Sequence, residues 1–214
     1  MNAYQPIEGL RLDEYLQLEQ ELAAEIREPV FFTWIVSPTV IYGQHQICEQ
    51  EVNLEYCKTH NIHIVQRKSG GGCVYADSGN VMVSYITPST HAQTEFGAFI
   101  DRLAKALQAL GYEAVTTEHN DILVGGHKVS GAACYKLPNA TVVHATMLYD
   151  VNLEALQNAI TPSVAKLQKH AVSSVRQRVV NLRTIRDLGT TANFRQALNI
   201  EILHGSADRL NEVK

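Results

Sequence analysis

The chain has 214 residues, 45% of them hydrophobic and 19% charged, with a formal net charge of −4. This composition supplies apolar material for one sizeable core, and the acidic lean argues against a nucleic-acid binder, which carries a basic excess. No stretch approaches the ~20 apolar residues of a membrane span, and "MNAYQPIEGLRLDEYL" lacks the basic segment and apolar run of a secretory signal. Neither nucleic acid nor a membrane is therefore an expected partner. Cys48, Cys57, Cys73 and Cys134 fall in no CxxC pair and no metal-binding spacing. Scattered thiols fit a reducing cytoplasm better than a disulfide framework.

From the N-terminus, Leu10, Leu12, Leu16 and Leu18 among Glu and Gln predict an amphipathic helix up to about residue 26. "VFFTWIV" (30–36) is β-rich, and Pro38 separates it from "TVIYG". Asn53 is placed to cap a short helix running to residue 60. "IHIVQ" (62–66) reads as a strand entering "RKSGGGCVYADSGN", and "NVMVSYI" (80–86) as the strand leaving it. Residues 94–110 carry Phe96, Phe99, Ile100, Leu103, Leu107 and Leu110 on one helical side, with Gly111 as a stop. "DILVGGHKVSG" predicts a hairpin turning at Gly125-Gly126, and "ATVVHATMLYDV" another strand. Shorter helices are expected at 153–159 and 191–197, and the last thirty or so residues look weakly organised. Neighbouring strands with interspersed helices favour an α+β fold, with mixed, largely antiparallel sheets flanked by helices, over strict βαβ alternation.

Three stretches could carry chemistry. In "RKSGGGCVYADSGN", Ser69 and Gly70, Gly71 and Gly72 follow Arg67 and Lys68. Bare backbone amides beside cations suit an anion; a flexible hairpin tip is the competing reading, since the pattern is neither a Walker A loop nor GxGxxG. In "HNDILVGGHKVSGAA", Asp121 and Lys128 lie on paired strands across a tight turn. They form either a surface ion pair or a site where Asp121 holds Mg²⁺ and Lys128 offsets a phosphate or oxyanion. Ser130, Gly131, Ala132 and Ala133 then present small side chains, as expected where a ligand packs on a strand. In "SVRQRVVNL", Arg176 and Arg178 share one face of an extended segment, or simply decorate an edge strand.

Other chemistries find little footing. The nine histidines make no HExxH or HxH pattern, and there is no GxSxG elbow. Cys73 and Cys134 could in principle form an acyl-enzyme, but small packed thiols are the commoner role.

Read in order, the motifs resemble the lipoate–protein ligase family, within the wider group of biotin and lipoate ligases and octanoyl transferases. "PTVIYGQHQ" with "EVN" looks like the family's opening strand motif, and "RKSGGGCVYADSGN" like its RRxSGGGAVYHDxGN signature. "NDILVGGHKVSGAA", "HATMLYDVN" and "SVRQRVVNL" resemble the later motifs, so the likeness covers roughly residues 12–182, most of the chain. It implies the biotin/lipoate ligase catalytic-domain fold over 1–185, a C-terminal extension over 186–214, and no accessory domain.

The resemblance also implies a reaction. ATP and lipoate give lipoyl-adenylate and pyrophosphate, and a lysine of a lipoyl domain then takes the acyl group. The acceptors would be lipoyl domains of 2-oxoacid dehydrogenase E2 subunits or the glycine-cleavage H protein. Lys128 is the implied catalytic residue, and Asp121 the implied Mg²⁺ ligand. Arg67, Ser69, Gly70, Gly71, Gly72, Val74, Tyr75, Asn80, Asn120, Asp121, Ser130, Gly131, His144 and Thr146 are the implied binding set.

Departures from the pattern are Gln66 for the first Arg of an Arg pair, Ala76 for a His, Ala145 for a Gly and Cys73 for an Ala. The missing accessory domain leaves three explanations: a trimmed sequence, a separate accessory polypeptide, or transfer only. A related octanoyl or lipoyl transferase acting without ATP, and a non-catalytic lipoyl or nucleotide-binding module, are the alternatives. "TTEHNDI" has no cysteine before the lysine-bearing hairpin, which favours the adenylate chemistry over the cysteine-dependent one.

Overall fold

In the computed structural model, residues 1–160 and 179–211 are described, and Arg176 and Arg178 lie outside them. Helix α1 (Leu12–Glu25) buries Leu12, Tyr15, Glu19 and Ala23, a three-four spacing that keeps all four on one stripe. Strands β1 (Asn2–Ala3), β2 (Val30–Trp34), β6 (Asn80–Thr87), β7 (Ala114–Thr116), β8 (Asp121–Val124), β9 (His127–Lys136) and β10 (Thr141–Leu148) build a seven-stranded sheet in the order β1-β2-β6-β10-β9-β8-β7. A smaller sheet holds β4 (His63–Gln66), β3 (Thr39–Tyr42) and β5 (Val74–Ala76), in that order. Among the strand pairs of the described residues, β1–β2 and β3–β4 are parallel and the other six antiparallel, so the sheets are mixed and largely antiparallel, as expected.

The central strands β6 and β10 are buried at every residue. Both faces are covered, which is why their sequences read as near-continuous apolar runs rather than as alternation. On one face lies α4 (Ala92–Ala109), whose Phe96, Phe99, Ile100, Leu103 and Leu107 pack against Val81, Val83 and Val143. On the other, α1 sets Leu12 and Tyr15 against Phe32, Trp34, Met82 and Val142. Tyr15 stacks on Trp34 with ring centroids 4.3 Å apart. The small sheet packs with α2 (Cys48–Glu51), α3 (Leu54–Thr59) and α5 (Leu153–Ala159) around Val40, Cys57, Tyr75 and Leu156.

After a short helix α6 (Leu182–Ile185), the chain forms α7 (Thr191–Asn211), longer than the expected 191–197. Residues 186–211 are also not weakly organised. Phe194, Leu198 and Ile202 are fully buried in the α4 face of the core, at a spacing of four that brings them onto one side. Arg195 ties the same helix to β2, giving Nε to Thr33 Oγ1 at 2.9 Å and a two-pronged bond to Glu8 at 2.8 and 3.0 Å.

Candidate active site

On the α1 face of the large sheet, the strand register aligns one row of residues. Trp34 pairs with Met82, Met82 with Thr146, Thr146 with Gly131, and Gly131 with Asp121. The row grades from aromatic to carboxylate and floors a cavity of about 320 Å³. Leu12 and Leu16 of α1, with Ile41 and Val74 of the small sheet, wall its apolar part. Trp34 is fully buried, whereas the side chains of Lys128 and Asp121 are 34% and 27% exposed, so the charged end is the open one.

Lys128 reaches this face through a bulge. It pairs with Leu123 whereas Ser130 pairs with Ile122, and the extra residue, Val129, breaks the two-residue alternation. Lys128 Nζ consequently meets Asp121 Oδ1 at 2.7 Å. A Cβ on Gly131 would lie 3.0 Å from both Cε and Nζ of Lys128, so the missing side chain is the space the ammonium occupies. Gly125 and Gly126, with φ of 58° and 78°, make the turn itself. The chain returns at Val180, whose N–H donates to the Lys128 carbonyl at 3.1 Å and pins the strand from the far side.

The opposite wall is the glycine loop, and Arg67 clasps it. Only 7% exposed, Arg67 donates Nε to Ser69 Oγ (3.0 Å), Nη1 to the Ile41 carbonyl (3.1 Å) and Nη2 to the Gly70 and Gly72 carbonyls (both 2.7 Å). Burial lowers the guanidinium pKa from its ordinary value, and the carbonyl oxygens stand in for lost water. A trans peptide points its N–H opposite to its C=O, so the amides of Gly71 and Cys73 turn away from the clasp. Gly71 needs its glycine, with φ of 91° and a Cβ position 3.0 Å from Arg67 Nη2. At Gly70 and Gly72 an added Cβ would meet nothing within 4 Å, so packing within the protein does not demand glycine there.

Residues 5–202 match the family described as the lipoyl protein ligase A/B catalytic domain. The chain belongs to that family. It is 38% identical over 183 residues to lipoate–protein ligase 1 of Staphylococcus aureus, covering 85% of this chain and 55% of that protein. A structure of a bipartite archaeal lipoate protein ligase with its E2 lipoyl domain, from Thermoplasma acidophilum, superposes with a TM-score of 0.79 at 26% identity, covering 95% of this chain and 83% of the other. One of lipoate–protein ligase A bound with ATP gives 0.78 at 27%, covering 92% and 86%. The α+β fold expected from the sequence is thus that of the lipoate ligases. The chain spans 55% and 59% of the length of the two bacterial ligases it matches at 38% and 32% identity.

Within this member of the family, Arg67, Gly71, Gly72, Val74, Asp121, Lys128, Gly131, His144 and Thr146 all line the cavity. Six expected binding residues do not. Ser69 and Gly70 sit one step behind the wall, bonded to Arg67. Tyr75 alternates away from Val74 into the small-sheet core, and burial drives its hydroxyl pKa upward. Asn80 is wholly buried and gives Nδ2 to Met82 Sδ at 3.4 Å. Asn120 takes φ of 60° in the turn before β8, a left-handed position that suits Asn and explains the residue without a ligand. Ser130 pairs with Ile122 on the α4 face, and its hydroxyl has no partner among the described residues.

The departures also find their places. Ala145 directs its methyl to the α4 face, opposite His144 and Thr146. Ala76 is fully buried in the α1 cluster. Cys73 lines the cavity, but burial pushes its thiol up to about 12, which leaves no thiolate to act as nucleophile near neutral pH. The apolar lining from α1 and from Trp34 and Met82 was missed by sequence reasoning, because those residues read as ordinary core.

Proposed function

We propose that this catalytic domain activates lipoate with ATP and transfers the lipoyl group to a lysine of a lipoyl domain. One observation carries the reading: an apolar cavity that opens between a lysine-bearing hairpin and a glycine loop. A medium-chain acyl group fits the apolar part, with its carboxylate directed toward Lys128 Nζ. The names of the relatives, with lipoate, ATP and an E2 lipoyl domain among them, support the same substrates.

In the first step a carboxylate oxygen attacks the α-phosphate and pyrophosphate leaves. Lys128 Nζ offsets negative charge gathering between carboxylate and phosphate, the loop amides of Gly71 and Cys73 face the phosphate, and Gly71 and Gly72 keep that wall free of side chains. In the second step an acceptor lysine attacks the acyl carbonyl and AMP departs. The mixed anhydride is reactive enough that positioning suffices and no enzyme nucleophile is needed. Mg²⁺ takes one or two carboxylates and otherwise phosphate oxygens and water. Among the described residues there is no cluster of three or more His, Cys, Asp or Glu, and Asp121 alone at the mouth fits that habit. When bound, the ion would neutralise phosphate charge.

The acceptors we propose are lipoyl domains of 2-oxoacid dehydrogenase E2 subunits or the glycine-cleavage H protein, met in the cytoplasm. Among the described residues no helix is long and apolar enough to cross a membrane. The bipartite archaeal relative supports a separate accessory polypeptide that assists adenylation. Incubating the chain with ATP, Mg²⁺, lipoate and an apo lipoyl domain should release pyrophosphate and add one lipoyl mass to the acceptor. Modification only from preformed lipoyl-adenylate would mean that this chain performs transfer only. No modification from either source would sink the enzyme reading.

A further inference from the structure

Behind the cavity wall runs a buried polar chain that the reaction above leaves unused. Glu19 of α1 is fully buried, and its Oε1 accepts from Ser84 Oγ at 2.6 Å. Ser84 Oγ in turn accepts from Trp34 Nε1 at 2.9 Å. Glu19 Oε2 faces Tyr135 Oη at 3.5 Å and His144 Nδ1 at 3.4 Å. From the other ring nitrogen, His144 Nε2 meets Ser69 Oγ at 2.6 Å, the same oxygen that accepts from Arg67 Nε at 3.0 Å.

The ends of this chain fix its direction. Arg can only donate and a carboxylate can only accept. Arg67 Nε–H therefore occupies Ser69 Oγ as acceptor, Ser69 sends its own hydrogen to His144 Nε2, and His144 is left with Nδ1–H to give to Glu19. Only this assignment matches every donor with an acceptor. It joins a buried cation to a buried anion through two neutral groups, which offsets the cost of burying each.

The connectivity Glu19–His144–Ser69 is that of a hydrolase triad. Yet Ser69 is 1% exposed and one of its lone pairs is held by Arg67, so it is no nucleophile. The chain does something else: it links three elements that line the cavity. Glu19 belongs to α1, whose Leu12 and Leu16 line the cavity; His144 belongs to the central strand β10; and Arg67 clasps the glycine loop.

We propose that Glu19 is a positioning residue that sets His144 as the Nδ1–H tautomer and, through Ser69 and Arg67, holds the glycine loop against the acyl cavity. The inference rests on the proposed function only in taking the cavity as the acyl site. Nitrogen-15 NMR of the whole chain reads the tautomer directly, and wild type should show His144 protonated at Nδ1. In Glu19→Gln the carboxylate end is lost. The tautomer preference should weaken, and the Arg67 Nε–H and the Gly70 to Gly72 amide signals should shift. The KM for lipoate should rise about tenfold, the scale of one charged hydrogen bond, while kcat changes less than about twofold.

Ser69→Ala cuts the chain midway. It should shift the Arg67 and loop signals while leaving His144 protonated at Nδ1, and it decides the matter with the wild-type spectrum should Glu19→Gln fail to fold. An Nε2–H tautomer in wild type, or Arg67 and loop signals unmoved in both variants, would overturn the proposal. The NMR readouts need no turnover. Spectra as expected in a chain that ligates nothing would remove the enzyme reading and keep Glu19 in its role.

Discussion

The two walls of the cavity are built on opposite principles. The glycine loop exposes Gly71 and Gly72 but is bonded from behind by a buried cation: four of the five N–H groups of Arg67 go to Ser69, Ile41, Gly70 and Gly72, and Gly43 presses close behind. The β8–β9 hairpin is half-open, and its functional pair is one ion pair about a third exposed. A wall clasped by a buried, saturated cation holds its shape whatever occupies the cavity. An exposed lysine paired with a single aspartate can exchange that partner for a phosphate at little cost, because such pairs are weak in water. The molecule thus separates shape from charge, one to each wall.

The largest effect that would break this division is at Lys128. Lys128→Ala should lower turnover by about 10²- to 10³-fold, the scale of one removed electrostatic contact in a transition state, with the melting temperature unchanged. An active Lys128→Ala protein would refute the charge role of the hairpin.

On the other wall the damage should appear in stability. A Cβ at Gly43 would sit 2.4 Å from the Gly71 carbonyl oxygen, a backbone atom with no easy retreat. Gly43→Ala should cost about 1–3 kcal/mol in denaturant unfolding and raise the KM for lipoate. Gly131→Ala sharpens the contrast, because its new methyl crowds the mobile end of Lys128 at 3.0 Å and meets Asp121 Oδ1 at an ordinary 3.7 Å, with no backbone atom in the way. It should melt like wild type and lose about tenfold in turnover, a 1.4 kcal/mol misplacement of charge. If Gly131→Ala instead unfolded and Gly43→Ala did not, the division between the walls would fail.

The smallest effect concerns alkaline pH. Burial raises the Cys73 thiol from its ordinary 9.0 to about 12, and Tyr85 and Tyr112 to about 12 from 10.0. The folded chain keeps these protons where the unfolded chain has released them. Stability should therefore be complete below about pH 9 and fall as pH climbs toward 12. Cys73→Ala should flatten the early part of that decline in thermal melts.

Much of this was legible from residues alone, and the illegible parts have physical causes. The glycine turn, the Gly125-Gly126 hairpin and the Asp121–Lys128 pair come from local chemistry, and the structure brings the two stretches to one cavity. The bulge at Val129 has no local signature, yet it decides which face Lys128 takes. Asn80, Ser130 and Tyr75 were expected at the site because they sit within the motifs, but strand alternation turns Ser130 and Tyr75 away, and Asn80, though on the strand face of Met82, is fully buried. Glu19 was masked by its type, since a glutamate on a helix reads as solvent-facing. Its place on the Leu12–Tyr15–Glu19–Ala23 stripe was the signal available. The same spacing argument at Phe194, Leu198 and Ile202 would have revealed that α7 packs into the core.

The central claim is that one cavity holds acyl chain and phosphate together between these walls. An NMR titration with a non-hydrolysable lipoyl-adenylate mimic tests it most directly. Shifts are expected at Gly71, Gly72, Lys128, Gly131 and Thr146, with an unperturbed surface around Arg11 and His63, which line a separate pocket. Shifts confined to that second pocket, or none at the glycine loop and hairpin, would contradict it.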